Sequence, residues 1–382
     1  MTSREDDDER QGEGGEERVS PLELFFDLVF VFTVTQLTAV LVKEPNGRGV
    51  AQAFLMLGVI WWMYGGYAWL TNAVAPHGAT RRLLLLGGMA GFLVLALAIP
   101  QAFKGAGLTF GLAYLVVIVV HGGLFIRATA ITVSAAFRGI APINGAAATM
   151  VLVGGALGGT PEYVLWAAAF LLTWVGTPLL TDNAGFEIAA SHFVERHGLV
   201  VIVAIGESIV ALGIGAAGLP VDLALVGLAV LGLALSACLW WAYFGEEDDP
   251  EHALEAAPAA ERPRLALGGY GLPHMAILLG IVAIAAAEKH AIGHASHHLP
   301  LVDALYLGGG AALFLVGDVV FRRVLRIGRA GPRLAAALLA LCTVPLGTEV
   351  SAAAQMLAVT VVLVGTLALE ARGRDLRRSA AP

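Results

Sequence analysis

The chain has 382 residues, of which 58% are hydrophobic and 14% are charged, and its mean hydropathy is +0.78. Soluble domains carry about 25% charged residues, so this composition excludes an ordinary soluble protein and indicates a membrane protein. The net charge of −7 comes mostly from the N-terminal tail and from residues 246–255, and it does not favour nucleic acid as a partner.

Apolar segments long enough to cross a bilayer recur along the whole chain. A spanning helix needs roughly 20 apolar residues, and it must be helical because lipid offers the backbone no hydrogen-bond partner. We therefore predict an all-α polytopic membrane protein with about 12 transmembrane helices, and a kink in the ninth at Pro273. The spans are predicted near residues 25–42, 53–71, 83–101, 108–126, 142–158, 163–181, 197–215, 222–244, 266–287, 303–321, 334–347 and 350–369.

Short sequence landmarks recur in the same order in the two halves of the chain. Trp61-Trp62-Met63-Tyr64 is echoed by Trp240-Trp241-Ala242-Tyr243, and Gly159-Thr160-Pro161-Glu162 by Gly347-Thr348-Glu349. This order predicts two parallel six-helix repeats, an arrangement that encloses the site of many transporters. The predicted parts are an acidic disordered cytoplasmic tail at 1–20, a first repeat at 21–182, a second repeat at 192–370 and a basic cytoplasmic tail at 371–382.

The basic residues predict the orientation of the chain in the membrane. Of the 23 Lys and Arg residues, 19 fall in the two tails and in the loops after even-numbered spans. Basic residues accumulate on the cytoplasmic side, so both termini are predicted to be cytoplasmic. The longest internal loop, 245–264, is predicted to be cytoplasmic and mobile.

The first span carries two acids, Glu23 and Asp27, which lie four residues apart and share a helix face. An intramembrane carboxylate is costly, about 2.5–3.5 kcal/mol on insertion scales, and normally faces the bundle interior or a water-filled cavity. Glu23 either stays hydrated at the boundary or accepts hydrogen bonds from the first-turn N–H groups after Ser20-Pro21. Asp27 either binds a cation or a proton, or pairs with a basic residue of another helix.

The seventh span carries Glu207 deep inside its apolar stretch. Glu207 lies 12 residues beyond Glu195, which is about 18 Å along a helix and more than half of the bilayer core. Two alternatives stay open for it: a functional carboxylate, or a protonated side chain that holds neighbouring helices together. Gly206 beside it predicts a close approach of another helix.

Two basic side chains of the same span point to a contact between the repeats. Arg196 and His197 are able to pair with Glu23 or Asp27, although Arg196 would equally reach the lipid headgroups. The polar residues that we predict to form a site are Glu23, Asp27, Gln36, His192, Glu195, Arg196, His197, Glu207 and Ser208.

An outer loop is predicted to hold Glu288, His290, His294, His297 and His298, whose spacing resembles that of zinc ligands on a helix. A merely polar loop is the alternative, and we expect no metal site. The sequence has no Walker A motif, dinucleotide fingerprint or nucleophile elbow. We therefore expect no cofactor and no enzyme activity.

Residues 20–32 (SPLELFFDLVFVF) and 192–208 (HFVERHGLVVIVAIGES) carry a family resemblance. Through them the chain resembles the bacterial low-temperature-requirement A (LtrA) family over about residues 18–370. The resemblance implies a multi-pass protein of the bacterial cytoplasmic (inner) membrane, with a link to growth in the cold. It implies no established activity and no established site residues.

The leading hypothesis is a transporter or channel that moves a small ion or solute between the two repeats. Asp27 and Glu207 are then the coordinating or proton-carrying groups, and Glu23, Glu195 and Arg196 form a cytoplasmic gate. The bilayer is the expected partner, and a homo-oligomer is left open.

Two alternatives belong to other classes of protein. One is a non-transporting scaffold or cold-adaptation factor, and the other is an intramembrane enzyme that acts on a lipid substrate. A continuous polar cavity would favour transport, and a sealed apolar interface would favour the scaffold. A lateral opening beside His192, Glu195 and His197 would favour the enzyme.

Overall fold

The computed structural model describes residues 19–73, 78–126, 131–181, 188–245 and 248–380, and all regular structure within these ranges is helical. The predicted acidic tail lies outside them, apart from its last two residues. Twelve helices or helix pairs of the described chain are long and apolar enough to cross a membrane. The predicted all-α membrane fold is therefore confirmed.

The described part of the first half contains one helix for each of the first six predicted spans. Two of these helices continue in another helical form. The third runs into the 3₁₀ helix Ile99–Lys104, and the sixth runs through the π-helix Leu172–Gly176 into a last turn, Thr177–Leu180. The helices are α1 (Pro21–Lys43), α2 (Gly47–Ala73), α3 (Ala79–Ala98), α4 (Gly107–Ile126), α5 (Ile131–Leu157) and α6 (Gly159–Leu171).

The described part of the second half is divided more finely, because two of its spans are interrupted. The helices Arg262–Tyr270 and Leu272–Ala291 together form the ninth span, and Gly331–Cys342 and Val344–Glu349 form the eleventh. The helices are α7 (Ala190–Gly215), α8 (Leu223–Phe244), α9 (Asp248–Ala256), α10 (Arg262–Tyr270), α11 (Leu272–Ala291), α12 (Leu301–Leu325), α13 (Gly331–Cys342), α14 (Val344–Glu349) and α15 (Ala352–Ala380).

Apolar side chains cover the outside of the bundle. Leu83, Val119 and Leu338 are 67%, 62% and 66% exposed, which would be unfavourable in water but is favourable against lipid tails. The interior is built from the second, ninth and tenth spans, whose apolar windows are 78%, 89% and 72% buried. Of these, the second and ninth spans contact the opposite half.

Helix neighbours follow the same order in the two halves. In the first half, α1 packs on α2 and α3, and α3, α4, α5 and α6 pack in succession; α7 and its followers pack in the corresponding order. The contacts between halves are less symmetric, since α11 packs extensively on α1 whereas α3 has no equally extensive contact with α7 among the described residues. The two-repeat arrangement stays a prediction that the neighbour order supports.

Close approach of α11 and α12 depends on two glycines. A β-carbon on Gly280 would lie 2.6 Å from the carbonyl oxygen of Gly310, and one on Gly310 would lie 2.8 Å from that of Gly280. Small residues let membrane helices approach in this way. Helix α11 is thus held tightly in the centre of the second half.

The ninth span breaks at Gly271, whose φ and ψ are −80° and −108°. Pro273 has no backbone N–H and its ring excludes a regular helix before it, so the predicted kink is a complete interruption two residues earlier. The carbonyl oxygens of Tyr270 and Gly271 accept hydrogen bonds from Trp61 Nε1 at 3.2 and 3.0 Å. A helix of the first half therefore caps the broken helix of the second.

Two segments differ from their predictions in extent. The fifth span was predicted at 142–158 and the candidate span is Gly139–Leu157, but the helix α5 begins earlier, at Ile131, and passes through Pro142 as an interior residue. The 245–264 loop was predicted to be mobile, but it contains α9, and Leu254 of α9 is fully buried. Leu254 packs with a cluster that includes Phe193 and Phe321. The apolar face of α9 therefore packs this charged segment against the bundle.

Candidate functional site

The start of α1 is fixed by a capping box. Ser20 accepts a hydrogen bond from the backbone N–H of Glu23 at 3.4 Å, and Glu23 Oε2 accepts one from the N–H of Ser20 at 2.9 Å. Pro21 occupies the first helical position, where its missing N–H is harmless. Glu23 is 3% exposed, so it accepts the first-turn hydrogen bonds and does not stay hydrated.

Arg196 of α7 joins the two halves at this end of the bundle. Its Nη1 lies 3.1 Å from Glu23 Oε1, and its Nη2 lies 3.6 Å from Asp27 Oδ1. Arg196 also donates to the hydroxyl of Thr71 at the end of α2. His192, one turn earlier on α7, places Nε2 3.2 Å from Glu23 Oε1. We call Glu23, Asp27, Thr71, His192 and Arg196 the inner cluster.

Aromatic rings enclose the arginine of the inner cluster. The guanidinium carbon of Arg196 lies 5.3 Å from the ring centre of Phe26 and 5.7 Å from that of Tyr64. Tyr64 donates its hydroxyl to Asp27 Oδ1 at 2.9 Å. Arg196 is 1% exposed, so it does not reach the lipid headgroups, and its charge is balanced by two carboxylates and two ring faces.

An apolar layer separates the inner cluster from the deeper acid. Phe30 and Val34 of α1 are fully buried, and the ring of Phe30 lies 5.9 Å from that of Trp61. Asp27 and Thr35 are eight residues apart, or about 12 Å along α1. Apolar side chains therefore separate the inner cluster from the deeper acid, Glu207, in this conformation.

Glu207 lies deeper in the bundle than the inner cluster and, like it, lies between α1 and α7, the first helices of the two halves. It accepts a hydrogen bond from the hydroxyl of Thr35 on α1 at 2.6 Å and is 4% exposed. No described side chain forms an ion pair with it within 4 Å. Gly206 does not provide the predicted close helix approach, since a β-carbon there would meet open space.

A third acid, Glu288 of α11, lies beside the same helix. It is fully buried, and its carboxyl group lies next to the hydroxyl of Ser208 on α7. No described side chain forms an ion pair with Glu288 within 4 Å. We call Thr35, Glu207, Ser208 and Glu288 the outer cluster.

Comparison with known proteins identifies the family of this bundle. The model of the family described as "Bacterial low temperature requirement A protein (LtrA)" matches residues 18–368. The chain belongs to the LtrA family. An uncharacterized protein of Rhizobium meliloti (strain 1021) is 30% identical to it over 323 residues, which cover 79% of this chain and 76% of the relative. Six of the nine residues of the two clusters lie on the two motifs through which the sequence resembled LtrA proteins, and Thr35, Thr71 and Glu288 lie outside them.

Three predicted site residues of this LtrA protein lie outside both clusters. His197 directs Nδ1 to the carbonyl oxygen of Phe193 at 2.8 Å and packs against aromatic rings. Glu195 is exposed and accepts a hydrogen bond from the N–H of Val19 at 3.3 Å. Gln36 is half-buried on α1. The remaining six predicted residues lie in one cluster or the other.

Sequence reasoning missed Glu288 as a buried residue of this LtrA protein. The prediction placed it in an outer loop because histidines and a lysine follow it, whereas α11 continues to Ala291 and the side chain faces the core. The histidines do not converge on a metal: among the described residues there is no group of three His, Cys, Asp or Glu able to hold one. His290 instead contacts Asp303 at 3.0 Å, and His298 contacts the carbonyl of Thr348 at 2.7 Å.

A second buried ion-pair cluster was also missed. Asp318 of α12 pairs with Arg322 at 3.1 Å and with Arg333 of α13, and Arg333 contacts both oxygens of Glu370 on α15 at 2.8 and 2.9 Å. Both arginines also donate to the carbonyl oxygen of Ala242 at the end of α8. Each acid here is paired with an arginine, and the arginines also bind the backbone of α8, so this cluster fastens four helices together.

Proposed function

We propose that this LtrA protein is a transporter or channel that moves a small ion or solute along the interface between its halves. The observation that carries the proposal is the burial of Glu207, whose carboxyl group has a hydroxyl partner but no described ion-pair partner. Removing an ion from water costs several kcal/mol even after relaxation. Burial without an ion pair favours a proton or a bound cation on this group, and we propose either one as the cargo or coupling ion.

The outer cluster has the chemistry of a cation or proton site. Glu207 lies on α7 and Glu288 on the neighbouring α11, and Thr35 of α1 and Ser208 of α7 add hydroxyl oxygens. Carboxylate and hydroxyl oxygens suit hard cations, and ionisable residues within membrane spans commonly mark ion pathways or proton relays.

The inner cluster is proposed as the gate. Arg196 neutralises Glu23 and Asp27 while the path is closed, and a cation that reaches Asp27 competes with Arg196 for it. The contact joins α7 to α1 and α2, so its release would loosen α7 against the first half. Phe30 and Val34 form the barrier between this gate and the outer cluster.

One alternative function has a specific observation in its favour. The apolar layer around Phe30 and Val34 seals the interface, as a non-transporting scaffold or cold-adaptation factor would require. The intramembrane enzyme is not favoured, because His192, Glu195 and His197 lie in three different surroundings. The description of the family supports a further proposal, that the protein is needed for growth at low temperature.

The proposal is tested by ion flux in liposomes that contain the purified protein. K⁺, Na⁺ and H⁺ flux is measured for the wild type, for Glu207→Gln and for Asp27→Asn. We expect flux above that of empty liposomes, with at least a tenfold loss in Glu207→Gln. The matched control is Glu162→Gln on α6, a carboxyl that is equally buried at 2% exposed but lies outside both clusters.

The control decides between a site and a packing effect. Flux that persists in Glu162→Gln but is lost in Glu207→Gln supports a path through the outer cluster. Equal flux in all variants would reject the path, and no flux of any of the three ions would favour the scaffold.

A further inference from the structure

A cavity lies at the break of the ninth span, next to the inner cluster but lined by none of the residues of either cluster. It is bounded by α2, α4, α5 and α6 of the first half and by α7 and α10 of the second. Its volume is about 80 Å³, whereas about 10–15 Å³ by the same measure holds one water molecule. The cavity therefore has room for a group larger than a single water.

Aromatic rings form most of the cavity wall. Trp61, Trp62, Trp69 and Trp174 line it together with Tyr270. The described residues of the lining include no Asp, Glu, Lys or Arg. Flat, electrically neutral walls favour a neutral planar group that stacks on them, because a buried ion would need a partner charge.

Four polar side chains, those of His121, Asn144, Thr177 and His197, interrupt the aromatic wall. Thr177 is 1% exposed, and its hydroxyl has no hydrogen-bond partner among the described residues. Asn144 uses Oδ1 to accept from Trp62 Nε1 at 2.8 Å, which leaves its amide hydrogens as donors. His197 contacts Phe193 through Nδ1, so a neutral ring presents Nε2 as an acceptor.

The unmade hydrogen bond of Thr177 points to a missing partner. A buried hydroxyl without a partner is unfavourable, and the cavity beside it supplies the space for one. Trp62, Trp69 and Ile140 of the wall are only half-buried, so the wall reaches the surface of the bundle, where a lipid-soluble molecule would enter from the bilayer.

We propose that this cavity binds the head group of a lipid-soluble quinone: one neutral, planar ring that carries oxygen substituents. The ring stacks between the tryptophans. A quinone carbonyl accepts from Thr177 and Asn144, and the hydroxyl of the reduced form is able to donate to His197 Nε2. This site is separate from the proposed ion path and does not rest on it.

The test uses ubiquinone-1 and the full chain in lipid nanodiscs, with tryptophan fluorescence as the readout. Four of the seven tryptophans line the cavity, so a bound quinone quenches a large share of the emission. We expect saturable quenching. Gly65→Leu should abolish it, because a β-carbon on Gly65 meets open space and the longer side chain then fills the cavity. The matched control is Gly227→Leu, which is equally open but lies on α8 outside the cavity.

A second pair of variants tests the hydrogen bond alone. Thr177→Val keeps the shape of the side chain and should weaken binding about three- to tenfold. Thr173→Val makes the same change one turn earlier, where the hydroxyl donates to the carbonyl of Ala169, and should leave binding unchanged. Glu207→Gln should also bind ubiquinone-1 like the wild type, which separates this site from the ion path.

Two results would overturn the proposal. One is quenching that rises linearly with ubiquinone-1 and is the same in Gly65→Leu, as simple partition into lipid would give. The other is saturable binding of tetramethylammonium but not of ubiquinone-1, which would assign the aromatic wall to an organic cation.

Discussion

Among single residues, Arg196 has the most extensive role in holding the halves together. It contacts Glu23 and Asp27 on α1 and Thr71 on α2. Arg196→Leu leaves two buried carboxylates without their cation, and removal of one partner of a buried pair costs about 3–5 kcal/mol. We expect a loss of that size in the free energy of unfolding, measured in mixed detergent micelles.

The control for this prediction is Glu195→Gln. Its side chain is exposed beside Arg196 and contacts only a backbone N–H among the described residues, so we expect a change below about 1 kcal/mol. Adding Glu23→Gln and Asp27→Asn to Arg196→Leu should restore part of the lost stability. A loss below about 1 kcal/mol for Arg196→Leu would mean that these charges are hydrated.

At this scale the sequence predicted six of the nine residues of the two clusters. The pairing of Arg196 with Glu23 and Asp27 was one of two open alternatives, because four-residue spacing shows which acids share a face but not which helix faces them. Glu288 was misplaced because local composition cannot distinguish a buried helix end from a polar loop. Thr35 gives no signal of its own, since threonine is common in helices as an internally bonded residue.

Among the helices, the broken ninth span depends on a donor from the other half. Trp61→Phe keeps an aromatic ring but removes the N–H that caps the carbonyls of Tyr270 and Gly271. Unsatisfied buried carbonyls cost about 1–3 kcal/mol, and we expect that loss in the free energy of unfolding. Trp240→Phe is the control, because Trp240 is 42% exposed towards lipid. Equal effects of the two changes would show that ring size, and not the cap, matters.

Most helices could be predicted because apolar length alone defines a span in lipid. The predicted helix boundaries differ from the structure where apolar length does not determine the end of a helix. Helix α5 extends through Pro142, and α9 is a short helix outside the apolar spans whose Leu254 docks on the bundle. Such contacts depend on distant residues, which local sequence does not specify.

For the whole molecule, we propose that both termini lie in the cytoplasm of a bacterial cell, with the protein in the inner membrane. An even number of spans places the termini on the same side, and 12 candidate spans are present in the described residues. The excess of Lys and Arg in the tails selects the cytoplasm. A green fluorescent protein fused after residue 382 should fluoresce, and an alkaline phosphatase fused there should be inactive. The reverse pattern would place the inner cluster towards the outside of the cell and the outer cluster towards the cytoplasm.

The central claim is that an ion path between the halves passes Glu207. The most direct measurement is the ratio of cation or proton flux in Glu207→Gln to that in the wild type, in liposomes with equal amounts of folded protein. We predict a ratio of one tenth or less, with Glu162→Gln near one. A ratio near one for Glu207→Gln, with measurable flux, would contradict the account and leave Glu207 as a side chain that only holds α1 and α7 together.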